Sequence, residues 1–269
     1  MQSIKTIYKI GPGPSSSHTF GPMMASKYIN EQYPEATNFK ITLFGSLALT
    51  GKGHLTDKII LKTLGTSKCE IIFDMKTPVE HPNTMIIEVF DKDTKIAEHT
   101  FVSIGGGKIE IDGKKGNVDP EIYPHTKMDD IQVYCNERHL RLDQYIDEVE
   151  DSDFDSYMNQ IFKQMLKTVN TGLKKTGVLP GSLKIDRVAH ALHQSAQSCS
   201  DIQDKNSLLL SSYAYAANEQ NASGGIVVTA PTMGSCGVLP SLVYHFYHDQ
   251  KYPKKTIIQG LKVAGLIGN

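Results

Sequence analysis

Four cysteines in 269 residues, none of them in a C-x-x-C pair, leave this chain without the spacing of a zinc knuckle. Cys69, Cys135, Cys199 and Cys236 are also too scattered to form a disulfide framework in a chain this long. One or two stay available as metal ligands contributed singly. Long apolar runs are missing too: no stretch of about 18 apolar residues occurs, and the opening MQSIKTIYKI has neither a long apolar core nor a cleavage-like site. A spanning helix and a secretory signal are therefore not expected, which places the chain among soluble, cytoplasmic proteins. An excess of one charge is absent as well. The net charge is -1 and the 28 basic residues are spread, so neither a nucleic-acid partner nor a membrane surface is implied. No internal repeat or low-complexity segment occurs.

At 39% hydrophobic content the chain can bury a sizeable core, and its length suits two domains better than one. Upstream, short β-type runs alternate with turn signals: FKITLF (39–44), CEIIF (69–73), MIIEVF (85–90) and HTFVSI (99–104), with helices expected near 22–32 and 55–64. Downstream, strand signals nearly vanish. A charged stretch from Arg138 to Asp155 leads into apolar-periodic segments near 153–174, 182–198, 206–220 and 238–248, broken at Gly177, Pro180 and Gly181 and by a glycine-rich interruption over 223–237. The expected architecture is an α+β domain over 1–135, a linker over 136–152 and an all-α domain over 153–269.

The richest chemistry lies in KIGPGPSSSHTFGPMM, residues 9–24. Pro12, Pro14 and Pro22 restrict the backbone around Ser15, Ser16, Ser17, His18 and Thr19, and Gly11 and Gly13 permit a tight turn and close approach to a ligand. If Thr19 or a nearby serine caps a helix over 22–32, its unpaired N–H groups would suit a carboxylate or phosphate, with His18 as a titratable neighbour. A plain Ser/Pro/Gly linker with an ordinary cap satisfies the same string.

A second block, GSLALTGKGHLTD (45–57), follows the strand FKITLF, a common place for a ligand site. It fails as a P-loop, because Gly45 and Gly51 are one residue too far apart and Lys52 precedes Gly53 rather than Ser or Thr. What remains is a flexible turn carrying Lys52 and His54, with Thr56 or Asp57 placed to cap the next helix. His54 alone reads as a surface histidine. Paired with His18 on an anion site, it becomes a candidate for acid/base work. The third block, NEQNASGGIVVTAPTMGSCGVLP (218–240), sets Thr232 and Cys236 on glycine-rich turns between helical patterns. Cys236 suits either a buried inert thiol or a metal or iron-sulfur ligand.

KIGPGPSSSHTFGPMMA, FGSLALTGKGHLTD, SIGGG (103–107), GVLPGSL (177–183) and NASGGIVVTAPTMGSCGVLPSL together resemble the iron-sulfur-dependent L-serine dehydratases of bacteria, in the same order along essentially the whole chain. The resemblance implies an α+β domain joined to a helical domain that carries a 4Fe-4S cluster, and conversion of L-serine to pyruvate and ammonia without pyridoxal phosphate. It implies further that Cys236 is a cluster ligand, that His18 and His54 face the substrate, and that Ser15, Ser16, Ser17, Thr19, Thr50 and Thr232 surround it. His54 is the preferred base, and Lys52 either neutralises developing charge or is merely solvated.

By the same resemblance the other cluster cysteines would follow Asn269, since Cys69, Cys135 and Cys199 match no ligand position. The apolar ending LKVAGLIGN looks like the opening of a buried helix, so the chain is expected to be a truncated product, a gene fragment or one of two pieces that assemble. A second polypeptide or a homodimer is the expected partner. Two other readings stand beside this one: a cluster-dependent L-cysteine desulfidase, and a non-catalytic amino-acid-binding module.

Overall fold

A computed structural model describes residues 1–115 and 119–269. It divides into two compact units, one formed by Pro12–Val118 and the other by Met1–Gly11 together with Asp119–Asn269. The first is α+β and the second is mainly helical, the fold class expected from the sequence.

After β1 (Ile10–Pro12), the chain enters a short π-helical turn, Ser16–Phe20, that runs directly into α1 (Gly21–Gln32). Then come β2 (Asn38–Phe44), α2 (Gly45–Thr50), α3 (Thr56–Leu64), β3 (Cys69–Asp74), β4 (Thr84–Asp91), β5 (Thr94–Gly105), β6 (Lys108–Ile111) and β7 (Lys114–Lys115). The six strands of this unit form one mixed sheet in the order β3-β2-β4-β5-β6-β7. Among its described residues only β2 and β3 run parallel, and α2 and α3 supply the crossover that such a pair requires. Period-two alternation places Phe39, Ile41 and Leu43 opposite Val89, Ile87 and Met85. These six side chains are buried beneath Ala25 and Ile29 of α1 and Ile59, Ile60 and Leu64 of α3. The core therefore fixes the carboxyl end of β2, where α2 begins.

The helical unit contains α4 (Met128–Glu137), α5 (Leu142–Val149), α6 (Phe154–Gly172), α7 (Ala189–Ser198), α8 (Ile202–Ala222), β8 (Ile226–Val228), α9 (Val238–Tyr244), a second π-helical turn (His245–Asp249) and α10 (Lys254–Ile267). β8 pairs with β1. In α6, Phe154, Met158, Ile161, Phe162 and Met165 recur at helical spacing and form the centre of the main core with Tyr145, Ile146, Ile257 and Leu261. No helix of the described residues is long and apolar enough to cross a membrane.

Several elements differ from the sequence expectation. The stretch 136–152, expected as a linker, contains α5, whose Tyr145 and Ile146 are fully buried. The helix expected from 182 starts at Ala189, because 177–187 folds back on itself through Val178 and Asp186. Within the block 45–57, Gly45–Thr50 form the helix α2, and Lys52 and His54 lie on the turn that follows it.

Candidate active site

Ser15 opens the site by capping: its Oγ accepts the backbone N–H of His18 at 3.1 Å and starts the π-helical turn. Ser15, Ser16, Ser17 and His18 are half-buried, whereas Thr19 is buried. The Thr19 hydroxyl accepts from the Ser15 N–H at 3.2 Å and donates to the carbonyl of His54 at 2.7 Å. Thr19 is therefore committed to joining two segments. Thr56 does the same in the opposite sense, donating its hydroxyl to the carbonyl of His18. The expected side-chain cap of α3 by Thr56 or Asp57 is not formed. Leu55 occupies the cap position in a left-handed conformation, and the Thr56 hydroxyl is spent on His18.

This lacing brings the imidazoles together, with ring centroids 4.6 Å apart. His18 Nε2 lies 2.8 Å from Ser46 Oγ. His54 Nδ1 lies 3.1 Å from the Thr50 carbonyl and 3.2 Å from the Thr50 hydroxyl oxygen. The Thr50 hydroxyl gives its own proton to the Ser46 carbonyl at 2.9 Å, so both oxygens facing His54 are acceptors. Neutral His54 must then carry its proton on Nδ1, leaving an Nε2 lone pair with no hydrogen-bond partner among the described residues. The pKa of His18 is held below the ordinary histidine value, first by burial and second by the nearness of His54, with the Ser46 backbone partly offsetting both.

Lys52 is exposed, its Nζ 5.3 Å from the Phe73 ring centre. Ser46 escaped the sequence reading. Ser46, Thr50 and His54 are spaced i, i+4 and i+8, the spacing that aligns side chains on one helical face, and that periodicity was the available signal.

In the helical unit, Thr232 is exposed and its hydroxyl meets that of Ser235 at 3.1 Å. Cys236 is fully buried, its sulfur near the Ala217 carbonyl and Asn218 Oδ1. Burial pushes its thiol pKa up to about 12, which disfavours the thiolate a metal needs. Among the described residues no group of three or more His, Cys, Asp or Glu side chains is placed to hold a metal. One protonated, buried thiol does not fit the donor set of a 4Fe-4S cluster, which takes about three or four protein ligands.

The serine dehydratase beta-chain family matches residues 3–72, and the serine dehydratase alpha-chain family matches residues 47–269. The chain belongs to the serine dehydratase family, and it is a lyase by that membership. It is 31% identical to L-serine dehydratase 2 of Escherichia coli K12 and 29% identical to L-serine dehydratase of Haemophilus influenzae, with all of this chain and 71% of each relative aligned. It is 33% identical to L-serine dehydratase of Helicobacter pylori J99, over 99% of this chain and 70% of that protein. The Haemophilus alignment runs to 325 positions, longer than this chain, so the shared region of that relative carries insertions that this chain lacks.

Proposed function

We propose that the chain acts in the deamination of L-serine by dehydration, yielding pyruvate and ammonia. The observation that carries the reading is the contact of His54 with His18 of the serine-rich loop, with the Nε2 lone pair of His54 left unoccupied by the described residues. The half-buried hydroxyls of Ser15, Ser16 and Ser17 are proposed to hold the substrate carboxylate. His54 Nε2 takes the proton from the α-carbon, and that electron pair forms the double bond to the β-carbon as the β-hydroxyl departs. The resulting aminoacrylate tautomerises to an imine, and water releases ammonia and pyruvate. The Thr50 carbonyl stabilises the imidazolium formed at His54 through the Nδ1–H bond it already makes.

The family resemblance implies a 4Fe-4S cluster, which would supply a Lewis acid and for which Cys236 would be the one recognisable ligand in this chain; that donor set does not fit the cluster. Thr50 and Lys52 are proposed as further residues around the substrate, and a second polypeptide or a homodimer as a partner of the chain. The test measures pyruvate release from L-serine by chain purified and iron-reconstituted without oxygen, beside His54→Gln and His18→Gln. Loss of about a hundredfold or more in the His54 variant is expected. Unchanged release in both variants would sink the assignment.

A further inference from the structure

The contact between Ser46 and His18 joins two segments that are each fixed independently. On one side, the Ser46 N–H donates to the Pro82 carbonyl at 2.7 Å and its own carbonyl accepts the Thr50 hydroxyl. Gly45 makes that placement possible: its φ is +50°, and a Cβ there would meet the Pro82 carbonyl oxygen at 2.7 Å. On the other side, His18 is held at its N–H by Ser15 and at its carbonyl by Thr56. Two sets of backbone constraints therefore converge on one 2.8 Å contact, between Ser46 Oγ and His18 Nε2.

That nitrogen is the only partner the structure gives the Ser46 hydroxyl among the described residues. A hydroxyl with one partner donates to it when the partner offers a lone pair. The His18 ring proton then lies on Nδ1, 3.4 Å from Ser15 Oγ. We infer that Ser46 is a positioning residue: its hydroxyl occupies Nε2 of His18, holds that ring as the Nδ1–H tautomer, and so divides the labour of the pair by leaving the proton-accepting position to Nε2 of His54. Its consequence for turnover rests on the serine dehydration proposed above. The tautomer does not.

The experiment is nitrogen-15 NMR of histidine-labelled chain, comparing wild type, Ser46→Ala and Ser46→Thr, with His18→Gln and His54→Gln to assign the signals. Wild type should show His18 and His54 both as Nδ1–H tautomers. In Ser46→Ala, His18 should move towards the Nε2–H form that free imidazole prefers, while His54 stays as it was, showing that the fold has held. Ser46→Thr should restore the wild-type pattern. An Nε2–H tautomer of His18 in wild type, or no change in Ser46→Ala, overturns the inference. In the pyruvate assay, Ser46→Ala should lower kcat about tenfold with KM within about twofold of wild type. Absence of pyruvate from every protein, with the NMR pattern intact, would overturn the functional reading and leave the positioning role standing.

Discussion

Thr19 donates its buried hydroxyl to the carbonyl of His54, 35 residues further along the chain, at 2.7 Å. Thr56 returns the bond to the carbonyl of His18, so each imidazole is tethered through its backbone by a threonine from the other segment. Neither side chain makes this arrangement alone. Each ring is placed by hydrogen bonds on its own segment and brought to its partner by the exchange.

Replacing Thr19 by Val keeps the shape and removes both hydrogen bonds, leaving the Ser15 N–H and the His54 carbonyl without that partner. The expected cost is about 1 to 3 kcal/mol of stability, read by urea denaturation, together with a disturbed His54 ring signal. Thr19→Ser should keep most of the stability. Equal stability of Thr19→Val and wild type would show that the exchange does not hold the pair.

The depressed pKa of His18 makes stability fall on the acid side. Its folded value lies below that of the unfolded chain, about 6.5, so between the two the unfolded state binds more protons. Its contribution should be complete above about pH 6.5, decline as the pH falls through the lowered folded value, and be absent below it. His248, also depressed chiefly by burial, titrates in the same direction and must be controlled with His248→Gln. In that background, His18→Gln should flatten the dependence of unfolding free energy on pH between 5 and 7, a window set by the ordinary histidine value. An unchanged slope would mean that His18 titrates alike in both states.

Much of the sheet unit was legible because its strands alternate strictly and end in turn residues. Phe39, Ile41 and Leu43 announce one buried face of β2, and the facing Met85, Ile87 and Val89 announce its neighbour. The site was legible as a composition of Ser, His and Thr residues but not as a geometry. Thr19 and Thr56 look like helix-capping candidates locally, and only the approach of two segments distant in sequence turns their hydroxyls to histidine carbonyls. The stretch 136–152 reads as a linker, and over 138–155 charged residues outnumber apolar ones. Yet Tyr145 and Ile146 sit on one face of α5, and Asp143, charged but buried, is held by Arg141 and Gln259. Short helices hide in such sequences because two or three buried positions are enough to hold them.

A buried ion pair supplies the sharpest test of the helical unit. Glu219 Oε1 accepts the backbone N–H groups of Val188 and Ala189, at 2.6 and 3.0 Å, and so serves the start of α7. Its Oε2 lies 3.7 Å from Arg187 Nη1, too far for a hydrogen bond, and both atoms are buried without a hydrogen-bond partner in the described structure. The attraction between these two atoms is thus electrostatic without a hydrogen bond, while the other guanidinium nitrogen, Nη2, donates to Ser223 Oγ. Glu219→Gln keeps an oxygen for the α7 amides but leaves the guanidinium uncompensated, which should cost about 3 to 5 kcal/mol by chemical denaturation. Adding Arg187→Met removes the stranded charge and should recover most of that loss, because the amide oxygen still serves α7 and the methionine fills the space. If the double variant is no more stable than Glu219→Gln alone, the cost lies in the helix start and not in the unpaired charge.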